Sequence, residues 1–244
     1  KFPQWAAMVT EQVERINRNI EGAVNQGRYL ILKTHRMTEL VEKHIMFSLE
    51  SILRKTEHER LIHTLYTILK ELVINGCKAN QKRIFFDEQG LDLNDESQYH
   101  KGIELYKKAF SEKMALEYGK KARDRGLYCM IDFEFDKEGI RIEVVNNTAI
   151  IPAEETIMRD KLKKAMGYND LAEFYMEQAM SGDTEGAGLG LALIIILLKG
   201  EGIDPSYFRI LIQGEQTIAR FEIPFSERFR SKRDHDARRV GEQA

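Results

Sequence analysis

Cysteine is scarce, and neither Cys77 nor Cys129 stands in a metal-ligand or redox spacing, so the expected state is two buried thiols in a reducing compartment. A surplus of either charge is also missing. With 37 basic and 39 acidic residues the formal charge is −2, and no global field draws the chain to nucleic acid or an anionic membrane. Long hydrophobic runs are absent too: the longest, Leu189 to Leu198, is roughly half of what a bilayer span needs. No signal-peptide pattern opens the chain. These absences predict a cytoplasmic protein without nucleic-acid or membrane contact. A first residue that is not methionine predicts an excised fragment or processed chain with domains upstream.

What is present is enough apolar sequence, 43% of 244 residues, for a full core in one large domain with added segments. Residues 1–27 carry Trp5, Val9, Val13, Ile16 and Ile20 at helical spacing, an amphipathic helix that packs on the domain or serves as a linker or homodimer contact. Tyr29 to Leu32 reads as a strand, and Thr34 as the N-cap of a helix to about Arg54. His35 opens that helix and is read as solvated rather than as a phosphoacceptor, as are His44, His58, His63, His100 and His235. Lys82 to Asp87 reads as a strand with Ile84 and Phe86 on one side, and residues 88–125 as a charged helical insertion. Leu127–Phe135 with Ile140–Val145, and Tyr207–Ile212 with Thr217–Ile223, read as two hairpins. Residues 153–185 form a charge-rich helical span suited to a lid, and residues 227–244 a basic, loose tail.

Two stretches carry chemistry. After Thr56, the residues Leu61, Leu65, Ile68, Leu72, Asn75 and Ala79 recur at intervals of four and three, so an amide interrupts an apolar stripe. Glu71 lies one turn before it and Lys78 one turn after, which puts three polar groups on one helix face bordering the core. An amide among leucines needs partners, and a ligand can supply them. In Gly186-Ala187-Gly188-Leu189-Gly190-Leu191-Ala192, alternate glycines precede the apolar run Ile194 to Leu198. The free N–H groups of that helix's first turn would face the loop, a phosphate site in outline.

In their order and spacing these motifs resemble the GHKL superfamily, the Bergerat-fold ATPases that include histidine-kinase catalytic domains, anti-sigma-factor serine kinases, gyrase B and heat-shock chaperones. Glu71 to Ala79 looks like the N-box, Gly186 to Ala192 like the second glycine box, and Gly214 to Pro224 like the closing hairpin of histidine-kinase domains. The resemblance spans about residues 29–225. It implies an α+β fold, a Bergerat-type sandwich whose mixed, mostly antiparallel sheet has helices on one face. It also implies bound ATP and Mg²⁺, the metal ligated by Asn75. Glu71 would orient or deprotonate a water or hydroxyl, Lys78 would neutralise phosphate charge, and Gly186, Gly188, Leu189 and Gly190 would meet the triphosphate as the lid closes.

The first glycine box departs from the family pattern. Asn146-Asn147-Thr148-Ala149-Ile150 stands where the family has Asp-x-Gly-x-Gly. Asn146 keeps an acceptor for the adenine amino group but loses the charge, a loss of about 1–2 kcal/mol, and Thr148 and Ile150 add bulk beside the base. The implied activity is that of an ATP-dependent histidine or serine kinase or a weak ATPase. Its partner would be a response regulator, a sigma-factor regulator or an upstream sensor domain. The alternative is a non-catalytic interaction module on the same fold.

Overall fold

The computed structural model describes residues 4–27, 29–168, 170, 172–174, 176 and 189–233. The chain is α+β. Helix α1 (Gln4–Asn25) leads into strand β1 (Leu30–Thr34) and helix α2 (Glu39–Lys55). Helices α3 (Ile62–Glu88), α4 (Glu96–Ala109) and α5 (Glu112–Asp124) precede the hairpin of β2 (Cys129–Phe135) and β3 (Gly139–Asn146). Then follow α6 (Pro152–Ala165), α7 (Leu189–Gly200), and the hairpin of β4 (Phe208–Gln213) and β5 (Gln216–Pro224). The sheet runs β1-β2-β3-β5-β4, and every pairing is antiparallel. The expected mixture of directions is therefore corrected: a parallel neighbour requires a crossover, and β2–β3 and β4–β5 are joined by short turns.

Alternation along the strands separates the two faces of the sheet. Ile131, Phe133, Ile140, Ile142, Val144, Phe221 and Ile223 point to one side and are buried with residues of α2, α3 and α7. The intervening residues of the three central strands are charged except at one end, where Met130, Val145 and Ile218 lie side by side. Asp132 lies opposite Glu143, Glu134 opposite Arg141, Arg141 opposite Glu222, and Glu143 opposite Arg220. Arg141 donates to Glu222 at 2.6 Å and pairs with Glu134 at 2.7 Å, while Arg220 donates to Glu143 at 2.6 Å. Residues 226–232 fold over this face, where the Ser231 hydroxyl donates to Glu222 and Lys232 Nζ approaches Glu143 at 3.1 Å. The tail expected to be loose from residue 227 is thus anchored as far as Lys232. Residues 234–244 lie outside the described residues.

Three local expectations change. Residues 82–87 are not a strand but the last turns of α3, where Ile84, Phe85 and Phe86 are all buried. A run of three apolar residues between charged ones fits either period, and the packing of α4 and α5 around it decides for helix. Thr34 ends β1, whereas the cap of α2 is Thr38, whose side chain accepts from Val41 N–H at 3.1 Å. His35 therefore precedes the helix, and its Nδ1 lies 2.7 Å from the Leu127 carbonyl. His44 is buried, which lowers its basicity, and the His58 ring stacks on Phe225. The amino-terminal helix packs on α2 and contributes Ile20 and Val24 to the main core.

Glu222 links the far face of the sheet to pH. Burial alone would raise its carboxyl, but the Ser231 hydroxyl and the Arg141 guanidinium outweigh this and hold it below the ordinary 4.5. The stability it supplies is complete above that value and is lost as pH falls through the lower folded value. Glu222→Gln should cost about 3 kcal/mol at pH 7 by leaving Arg141 under-compensated. Urea unfolding at pH 7 and pH 3 should show the variant losing less on acidification than the parent.

Candidate functional site

Helix α3 crosses the sheet at Gly76. A Cβ there would stand 2.2 Å from Cys129 Sγ, so only a glycine lets the helix backbone lie this close to β2. Asn146, directly opposite Cys129 on β3, donates from Nδ2 to the Gly76 carbonyl at 3.4 Å. This contact sets the carboxyl end of β3 beside the polar face of α3. The loop that follows is braced from both sides. Thr148 donates to Asn80 Oδ1 at 3.1 Å, Thr217 donates to the Thr148 carbonyl at 2.9 Å, and Arg83 donates to the Ala149 carbonyl.

A cavity of about 640 Å³ opens between these elements, within the range that holds small molecules. Glu71, Asn75 and Lys78 line it from α3, Asn146 and Thr148 from the end of β3, and Gly190 from the first turn of α7. All six were singled out from sequence. Ile157, Met158 and Lys161 of α6, Ile103 and Tyr106 of α4, and Phe110, which caps the end of α4, enclose the other sides. The insertion therefore walls the cavity. Gly186 and Gly188 lie outside the described residues, and of Leu189 only its place at the start of α7 is described.

Glu71 and Asn75 form a unit, the Asn75 amide donating to Glu71 Oε1 at 3.1 Å. A Cβ on Gly190 would lie 2.0 Å from that same oxygen, so the carboxylate rests against the first turn of α7, where the helix dipole favours negative charge. Asn75 is exposed to the cavity rather than enclosed among leucines, because the apolar stripe ends at the buried Leu72. The buried amides lacking partners are elsewhere. Asn146 is 6% exposed and its Oδ1 has no protein donor, and the Nδ2 of fully buried Asn80 likewise has no acceptor.

Five cationic residues, Lys78, Lys82, Arg83, Lys107 and Lys161, line the cavity against two carboxylates, Glu71 and Glu154. That balance suits an anionic ligand. Lys82 pairs with Glu154, which also accepts from the Tyr99 hydroxyl at 3.0 Å. Burial, then Arg83, push Lys82 down to about 8. At that value the lysine is still mostly charged at neutral pH, facing the Glu154 carboxylate. Sequence reading missed Lys82 and Arg83 because it ended the helix too early; continued, the spacing places Lys82 one turn beyond Lys78. No local signal marks Glu154 or Tyr106. Among the described residues no group of three or more His, Cys, Asp or Glu gathers to hold a metal, and no helix is long and apolar enough to cross a membrane.

The chain is similar to a protein of Treponema pallidum (strain Nichols) described as "Uncharacterized protein", with 33% identity over 156 residues. That match covers 64% of this chain and 30% of the Treponema protein, so the chain corresponds to less than a third of its relative. No family model matches the chain, and no solved structure matches it.

The obstacle to a side chain at Gly190 is the end of a flexible glutamate, and Ala favours a helix over Gly by about 1 kcal/mol. Gly190→Ala is therefore expected to leave folding stability unchanged or raise it by up to about 1 kcal/mol. Denaturant titration tests this. A loss above about 2 kcal/mol would mean that the contact is rigid packing.

Proposed function

We propose that the chain is an ATP-binding signalling domain of the GHKL type, a Bergerat-like sandwich that handles Mg·ATP in the cytoplasm and transfers phosphoryl groups to a protein partner. The observation that carries this is the unpartnered Asn146 Oδ1, buried in a cavity that also gathers Glu71, Asn75, Lys78 and the first turn of α7. A buried acceptor without a donor calls for a ligand N–H, and an exocyclic amine of a base provides one. The sheet with helices on one face agrees with the mostly antiparallel sandwich this reading implies, and its fully antiparallel pairing departs from that sandwich's mixed sheet.

The residues present fit the nucleotide and its metal. Oxygens of Asn75 and Glu71 suit a hard divalent cation that completes its shell with phosphate and water, and such a cation would neutralise phosphate charge. Lys78 and the N–H groups that open α7 favour anions on the same side. Glu71 would accept a proton from, or orient, a hydroxyl or water at the terminal phosphate. His35 Nδ1 is bonded to the Leu127 carbonyl, and on this reading the acceptor is a partner such as a response regulator or a sigma-factor regulator. Asn146 holds its amine-facing oxygen without a carboxylate's charge, and the Thr148–Asn80 bond stiffens the loop beside it.

Calorimetry and melting with Mg·ATP are the direct test. At 100 times Kd, binding should stabilise the protein by roughly 2.7 kcal/mol. Asn75→Ala should abolish the Mg²⁺-dependent part of the affinity while changing the stability of the unliganded protein by less than about 0.5 kcal/mol, since the side chain is exposed. A folded protein that neither warms nor shifts with millimolar Mg·ATP would sink the nucleotide reading and leave an interaction module on the same framework.

A further inference from the structure

The insertion does more than enclose the cavity. We propose that α4 supplies the platform on which the ring of a bound purine nucleotide lies, with Tyr106 and Phe110 as the ring-contacting side chains. This assignment rests on the nucleotide reading above and adds the residues that recognise the base.

Three observations place the platform. Tyr106 and Phe110 both line the cavity, and their ring centroids are 5.8 Å apart at a tilt of 50°. Phe85 of α3 meets the Tyr106 ring at 5.5 Å, nearly edge-on at 71°, and backs it from the core side. Lys78 Nζ lies 5.5 Å from the centre of the Phe110 ring, which brings the apolar wall next to a cation suited to phosphate. A flat apolar ring joined to an anion matches that juxtaposition; a bare polyphosphate leaves the wall in water.

The orientation of α4 is fixed by packing. A Cβ on Gly102 would stand 2.3 Å from the Phe86 ring, so α4 lies directly on α3 with its 99–103–106–110 edge toward the cavity. The other end is tied by Tyr99, whose hydroxyl donates to Glu154 of α6. The Tyr106 hydroxyl is buried without a protein partner. Burial, and secondarily Tyr118, push its ionisation up to about 12, so at neutral pH it remains a donor available to a polar edge of the base.

Binding of Mg·ATP and of Mg·tripolyphosphate to the full chain separates ring from phosphate recognition. The parent should bind Mg·ATP more tightly than Mg·tripolyphosphate. Tyr106→Ala should weaken Mg·ATP by about ten-fold or more, the size expected for loss of one aromatic stacking partner, with Mg·tripolyphosphate unchanged. Tyr106→Phe should retain most of the ATP affinity. Phe110 is 41% exposed, so Phe110→Ala should fold even if Tyr106→Ala does not, and it should show the same selective loss. Unchanged ATP affinity in the two alanine variants, or equal losses for both ligands, would overturn the platform while leaving the nucleotide reading intact. A parent that binds neither ligand would overturn both.

Discussion

The crossing of α3 over the β2–β3 hairpin at Gly76 is the constraint on which the rest of the structure depends. Because the helix backbone lies against Cys129 Sγ and accepts from the Asn146 side chain, residues 71–83 run past the carboxyl end of β3. One end of that stretch meets the first turn of α7 through Glu71, and the other meets α4 and α6 through Lys82 and Glu154. The cavity is the space left between those two ends. Its existence follows from a missing methyl group at one position.

Much of this geometry was legible in the sequence where a pattern ran long enough to carry its own period. The four-and-three spacing from Leu61 to Leu72 placed α3, and the glycine turns between alternating runs placed both hairpins. Glu71, Asn75 and Lys78 on one face of α3 meet Asn146 and Thr148 at the end of β3 and Gly190 at the start of α7, because the spacing of each pattern fixes where its polar residues fall. The failures occur where local pattern is short. Residues 82–87 are equally a strand or three buried helical positions until α4 and α5 are known to wrap them. Thr34 and Thr38 are equivalent caps by residue type, and only the extent of β1 separates them.

The far face of the sheet shows how tertiary context redefines a segment. Residues 227–232 read as a solvated basic tail, yet the carboxylates of Glu134, Glu143 and Glu222 form a charged surface that cannot face a hydrophobic partner. Ser231 and Lys232 complete it with hydrogen bonds, and Glu134, Glu143 and Glu222 each meet an arginine, whereas Asp132 lies opposite Glu143 with a buried oxygen that has no partner. Buried ion pairs contribute little net stability when intact and cost much when broken. They join β2, β3 and β5 in the register that sets the height at which Asn146 stands against Gly76.

Glu71 has a second consequence for the chemistry. With its carboxylate at the first turn of α7 and the Asn75 amide donating to it, the protein places its own anion where the dipole favours one. On the proposed nucleotide reading, a phosphate entering at the same helix end would meet this carboxylate, and the repulsion between the two anions would fall only if a cation lay between them or the glutamate swung aside. The Asn75 side chain suits both outcomes. On the proposed reading, rotation of its amide would release Glu71, and its oxygen would be available to a hard cation. Asp in its place would add a third negative group to the same corner. Alanine would leave Glu71 without its tether and any cation without this oxygen, and so a neutral amide meets the electrostatic demand on both sides.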